Sequence, residues 1–219
     1  MRVIIFGSTG GTGREAIRAL LHDGHQVTAF ARNPSALAPA PGLTIAQGDA
    51  MNEADVARAM TGHDAVVVTL GNSQNPFGLL FGARRTTPHN ICEIGTRNII
   101  AAMKANGIAR LIVVSSFGVG DTKAQAPLLT KIFYALFLRE QMADKEKQEP
   151  LVKASGLDWT LVQPVGLTDG VGMGGRIASP RGETGKLTIP RSDVAAFIAA
   201  EFANPAYRRA TVTLSGAKA

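Results

Sequence analysis

Two kinds of hydrophobic pattern alternate along the chain. The first is continuous. Val3-Ile4-Ile5-Phe6 is an unbroken apolar run, rich in β-branched residues, and reads as a strand buried on both faces. The second is periodic. After the glycine cluster, Ile17, Leu20 and Leu21 fall on one face of a helix, which Gly24 closes. The same alternation then repeats. Strands are predicted over 26–31, 43–46, 64–71 (with its exit), 110–114 and 157–164, and a short last one over 211–214. A helix starts near Asn52, where Asn52 and Asp55 form a capping pair. Another runs over about 90–106 and stops at Gly107. A long amphipathic stretch covers 128–154, and Pro150 predicts a kink or break inside it. Ser192 is placed to cap the last helix.

Strands alternating with helices predict an α/β fold: a doubly wound parallel sheet with helices on both faces. A chain of 219 residues suits one such domain with a full core. No repeat, linker or low-complexity tract divides it. Two segments, 72–90 and 165–190, are rich in glycine and proline and read as substrate-side additions, the second a small C-terminal extension. The first includes Phe77, Leu79, Leu80 and Phe81, which suit a lid, a pocket wall or an oligomer contact. Arg84 and Arg85 there could meet an anionic substrate or simply face solvent.

The turn after the first strand carries the candidate chemistry. It reads Gly7-Ser8-Thr9-Gly10-Gly11-Thr12-Gly13, a Gly-x-x-Gly-x-x-Gly spacing between strand and helix. Gly7 permits a sharp turn, Gly10 lets a diphosphate approach the backbone, and Gly13 lets helix and strand pack closely. The helix start offers N–H groups and a positive dipole end to the phosphates. Gly11 lies in the same cradle, and Thr9 and Thr12 add hydroxyls. A kinase-type phosphate loop is excluded, because Arg14-Glu15 follows Gly13 where Lys-Ser/Thr is needed. At the end of the second strand there is no acid to hold a ribose 2′-hydroxyl, and Arg32 stands ready for a 2′-phosphate. This predicts NADP(H) over NAD(H). Arg14 could assist.

Composition narrows the partners. Apolar residues make up 45% and charged residues 18%, an ordinary globular balance. No apolar run approaches the roughly 18 residues of a membrane span, and Met1-Arg2 leads straight into the first strand with no signal sequence. Cys92 is the only cysteine, which excludes a disulfide framework within one chain and suits the cytoplasm. The net charge of +6 suits a polyanionic cofactor. No basic run interleaves with aromatics, so nucleic acid is not an expected partner. His22, His25, His63 and His89 lack metal-ligand spacing, so no metal is expected. The expected partner is a small-molecule acceptor, and the protein is expected as a monomer or homodimer.

The glycine turn, the run Gly95-Thr96-Arg97-Asn98-Ile99-Ile100 and the run Ala154-Ser155-Gly156-Leu157-Asp158-Trp159-Thr160 resemble the short-chain dehydrogenase/reductase superfamily. The likeness is to its atypical NAD(P)H-binding branch, which includes biliverdin reductase B and nitrogen-regulator-like redox sensors. The resemblance covers essentially the whole chain and is weakest over 72–88 and the glycine-rich tail. It implies a strand order 3-2-1-4-5-6 with the ligand crevice at the carboxyl ends of strands one and four. It also implies an Asp49 contact to the adenine amino group, and nucleotide contacts from Ala50, Leu70, Gly71, Ser115 and Pro164.

The superfamily pairs a serine at the end of the fifth strand with Tyr-x-x-x-Lys on the next helix. The resemblance places Ser116 near the nicotinamide and aligns the lysine with Lys145, which could instead belong to a solvated charged face. The tyrosine position falls on Gln141, which does not titrate near neutrality. On a continuous helix, Tyr134 would lie about 16 Å from Lys145. The usual proton donor is therefore expected to be absent. The expected activity is reduction of a planar conjugated acceptor, a flavin or quinone, whose product water can protonate. Two alternatives stay open: a non-catalytic NADP(H) redox sensor, and a carbonyl reductase or epimerase whose acid is Tyr134 or another group.

Overall fold

A computed structural model describes residues 1–72, 87–172 and 174–217. The elements, in chain order, are β1 (Arg2–Phe6), α1 (Gly11–His22), β2 (Gln26–Ala31), β3 (Leu43–Gln47), α2 (Glu53–Met60), β4 (Ala65–Val68), α3 (Ile91–Ala105), β5 (Arg110–Val114), α4 (Leu128–Phe137), α5 (Arg139–Lys153), β6 (Asp158–Pro164), β7 (Gly166–Thr168), β8 (Arg176–Ser179), β9 (Thr188–Pro190), α6 (Arg191–Ala203) and β10 (Ala210–Gly216).

Eight strands form one sheet in the order β3-β2-β1-β4-β5-β6-β10-β8. The first seven are mutually parallel. β8 pairs antiparallel with β10 and closes one edge. The inner order is the 3-2-1-4-5-6 that the resemblance implied, extended by β10 and β8. β7 and β9 form a separate parallel pair beside it.

Alternation along β1 shows how the sheet separates two cores. Val3 and Ile5 join the cluster under α1 and α6, with Ile17, Leu20, Val194 and Ile198. Ile4 and Phe6 join the opposite cluster, with Val56 of α2, Ile99 and Met103 of α3 and Val152 of α5. All four β1 side chains are fully buried. That explains the unbroken apolar run: a strand covered on both faces has no solvent side to make polar.

The local signals for stops and caps mostly hold. Gly24 and Gly107 follow α1 and α3 with φ of +79° and +67°. Asn52 Oδ1 accepts from the N–H groups of Ala54 and Asp55, capping α2. Two expectations need correction. The stretch over 128–154 breaks at Leu138 (φ −123°), not at Pro150. Pro150 lies exposed near the end of α5, where its missing N–H forfeits one hydrogen bond and the helix runs on to Lys153. Ser192 does not cap α6. The helix starts one residue earlier, and the Ser192 hydroxyl donates to the Gly170 carbonyl at 3.1 Å.

Candidate functional site

Because the seven strands run parallel, their carboxyl ends share one edge of the sheet, and a cleft of about 550 Å³ opens there. Its floor is the glycine turn. Gly7 has φ +87°, and a Cβ on it would lie 2.6 Å from the Thr69 backbone. A Cβ on Gly13 would lie 2.3 Å from the Gly7 carbonyl oxygen. No side chain fits at either position. Gly13 sits behind the cleft and allows α1 to press on β1. Gly7, Thr9, Gly10, Gly11 and Thr12 line the cleft itself.

Side chains fasten the turn from outside. The Ser8 hydroxyl donates to the Phe30 carbonyl at 2.8 Å. The Arg14 guanidinium donates to the carbonyls of Thr9 and Ala36, at 2.9 and 2.7 Å. Arg14 therefore braces the turn against the β2–β3 connection rather than facing the cleft as a second 2′-phosphate cation. Gly10, the residue before α1, provides no side-chain cap. The first N–H groups of the helix thus have no side-chain cap, and an uncapped helix start suits an anion.

One end of the cleft is set by the ends of β2 and β3. Arg32, Asp49 and Ala50 line it. One Asp49 oxygen accepts from the Met51 N–H at 3.0 Å, which fixes the carboxylate in a local turn. A smaller hollow beside Arg32 is bordered by Gln47, Asp49, Asp55 and Arg58. Leu70 and Gly71 lie midway. A Cβ on Gly71 would meet no heavy atom of the described residues within 4 Å, and Gly71 lines the cleft. These features fit a dinucleotide: open glycines along the path, free helix N–H groups at its centre, an arginine and a carboxylate at one end.

The other end is formed by the exits of β5 and β6 and by α4 and α5. Ser115, Ser116, Gln141, Lys145 and Pro164 all line it. Lys145 does not belong to a solvated face: its Nζ donates to the Val114 carbonyl at 3.0 Å. The Ser115 hydroxyl is engaged away from the cleft, donating to Glu149 Oε1 at 2.6 Å. Gln163 donates to the same oxygen at 2.8 Å, and Glu149 is buried with its Oε2 unpartnered. Burial raises the Glu149 carboxyl above the usual range, against the opposing pull of the hydrogen bonds from Gln163 and Ser115.

Tyr134 is the residue that sequence reasoning misplaced. The 16 Å separation from Lys145 assumed one continuous helix. Helix α4 ends at Leu138, and Tyr134 lines the same cleft as Ser116, Gln141 and Lys145. Its ring lies against Gly118, where a Cβ would come within 2.8 Å of it. Burial raises its phenol above the ordinary value, and the Ser116 hydroxyl pulls the other way. Tyr134 is therefore a neutral O–H group at physiological pH. Arg191 was also missed and lines the cleft beside the glycine turn. The lone thiol of Cys92 is buried in α3 against the Leu70 carbonyl, and burial pushes it up to about 12. The expected roles of Phe77, Leu79, Leu80, Phe81, Arg84 and Arg85 lie outside the described residues.

A parallel sheet with a glycine turn under its carboxyl edge defines a Rossmann-fold nucleotide-binding protein. Residues 7–205 match the NAD(P)H-binding family, and the chain belongs to it. An uncharacterized chloroplastic protein of Arabidopsis thaliana is 28% identical over 205 residues, covering 91% of this chain and 71% of that one. A 3-beta-hydroxysteroid dehydrogenase of Mycolicibacterium neoaurum is 32% identical over 120 residues, covering 52% of this chain but only 32% of the enzyme. Among solved structures, an anaerobillin reductase from Escherichia coli superposes with a TM-score of 0.78 at 25% identity, covering 99% of this chain and 97% of that one. A short-chain dehydrogenase/reductase of Veillonella parvula in complex with NADP shares the fold, with a TM-score of 0.79 at 16% identity over 98% of this chain and 94% of that one. Several of the relatives are named as reductases or dehydrogenases, and an NAD(P)H-binding chain is consistent with an oxidoreductase. No helix among the described residues is long and apolar enough to cross a membrane.

Proposed function

We propose that this protein is an NADPH-dependent reductase of a planar conjugated acceptor, a flavin or a quinone. The observation that carries the reading is the continuity of the cleft: the glycine turn, Arg32 and Asp49 at one end, and Ser116, Tyr134, Gln141 and Lys145 at the other. When bound there, the nicotinamide supplies a hydride. Gly7, Gly10 and the first turn of α1 hold the phosphates, Arg32 takes the 2′-phosphate, and Asp49 accepts from the adenine amino group. Lys145, fixed by Val114, lies within the nicotinamide end and can hold its ribose. Phe133, Leu138 and Met142 give that end flat and flexible apolar surface, which suits stacking of a conjugated ring. Ser116 and Gln141 orient polar atoms at the ring edge.

Tyr134 favours a second reading, a carbonyl reductase. A neutral phenol beside Ser116 can give a proton to a developing alkoxide. The relative named a dehydrogenase is in keeping with it, and the structure named a reductase with either.

The test is NADPH oxidation by the purified protein with flavins, quinones and simple aldehydes in turn. Turnover with flavins or quinones and not with aldehydes is expected. Arg32→Ala should weaken NADPH by about tenfold or more and leave NADH unchanged. Equal loss for both nucleotides would remove Arg32 from the 2′-phosphate site. Tight NADP binding with no turnover on any acceptor would leave a redox-sensing binding protein instead.

A further inference from the structure

Gly11 opens α1, and the space a side chain would need there is already filled. A Cβ on Gly11 would lie 2.7 Å from Cδ and 2.8 Å from Nε of Arg191. Arg191 is the first residue of α6, far along the chain. The two helices pack side by side, so the Arg191 stem lies across the first turn of α1. The side chain reaches the cleft wall beside Gly10 and Thr12. A side chain at Gly11 would have to push aside the end of the Arg191 side chain laid over the turn.

That arginine has an unusual partner. Its Nη1 pairs with Asp169 Oδ1 at 2.6 Å. The arginine side chain is 26% exposed and the aspartate 92%. An ion pair with so exposed a carboxylate holds weakly, since water solvates the acid on every other side. A diphosphate seated on the α1 N-terminus brings more charge and a better shape for the planar guanidinium, which binds phosphate oxygens two at a time.

We propose that Arg191 is the diphosphate-binding cation of the nucleotide site, and that Asp169 is its stand-in partner, displaced when a nucleotide enters. The inference rests on the reading of the cleft as an NADP(H) site. The exchange also reaches the acceptor side. Asp169 begins the glycine-rich segment that Ser192 holds through Gly170. Nucleotide entry therefore frees one of the ties that fasten this segment to α6.

Two ligands and three proteins test it by calorimetry. NADP carries the diphosphate. Adenosine 2′-monophosphate keeps the adenine, ribose and 2′-phosphate and lacks the diphosphate. Arg191→Ala should weaken NADP by about tenfold or more and change adenosine 2′-monophosphate less than twofold. Asp169→Asn, at an exposed position where folding is not at stake, should tighten NADP by about threefold, because the competitor is gone. An Arg191→Ala protein that binds NADP like the parent overturns the cation assignment. Equal weakening of both ligands also overturns it, by reducing Arg191 to a structural role. No tightening in Asp169→Asn overturns the exchange. If the parent binds adenosine 2′-monophosphate and NADP equally, the diphosphate contact fails while the nucleotide reading stands. If it binds neither, both fall.

Discussion

The two walls of the cleft are made by different means. The nucleotide wall is backbone. Gly7 and Gly13 sit where a single added carbon would collide with main chain, and Ser8 and Arg14 tie the turn to its neighbours. The opposite wall is side chain. It is supplied partly by α4, a ten-residue helix none of whose residues is fully buried. Phe133 on it lines the cleft and is 44% exposed. The contrast shows which end of the cleft is free to change. A wall built of main chain admits one shape. A wall built partly of half-exposed side chains can be replaced residue by residue at small cost to folding.

The sharpest way to break that contrast is to load both walls. Gly13→Val should destabilise the protein by about 3 kcal/mol or more, since the clash is with main chain that has nowhere to move. Phe133→Ala, on the α4 side of the cleft, should cost less than about 1 kcal/mol. Urea unfolding of the two proteins measures both. Similar costs would mean that the walls are equally rigid.

Tyr134→Phe tests the flexible wall through chemistry. The neutral phenol is a proton donor only for an acceptor that needs one. Turnover of an aldehyde should fall by about a hundredfold, and that of a flavin or quinone by less than about threefold. A large loss with flavin as well would make Tyr134 the general acid for every substrate.

Glu149 supports the second wall from beneath, holding Ser115 and Gln163. Its carboxyl is raised by burial, so the folded state favours the protonated form. The contribution is whole below the ordinary carboxyl pKa and is lost as pH climbs through the raised one. Glu149→Gln keeps an acceptor for Ser115 and Gln163 and cannot ionise. It should gain about 1 kcal/mol at neutral pH and little at pH 4. Thermal unfolding across that range reads the difference, and a gain that grew toward acid would reverse the sign.

The positions of the inner strands were legible because each is short, apolar and bounded by a turn or a cap, and their order followed only from the resemblance. The glycine turn was legible because its geometry is local. Tyr134 was not, because its position depends on a helix break at Leu138, and neither proline nor glycine marks that residue. The proline that did draw attention, Pro150, lies near a helix end, where it does little harm. Arg191 was overlooked for a different reason. Its place over Gly11 comes from two helices meeting at opposite ends of the chain, and no motif spacing records such a meeting. Lys145 was ambiguous because its charged neighbours do face solvent, as Lys147 does in pairing with Glu93.

The packing of α6 on α1 also orders events during synthesis. The glycine turn is synthesised well before residues 191–203, so the helix it starts lacks its companion, and the turn its arginine, until they emerge. A nascent chain stalled before that point would expose the apolar side of α1. The contact that completes this corner of the fold is thereby deferred until most of the sheet has been made.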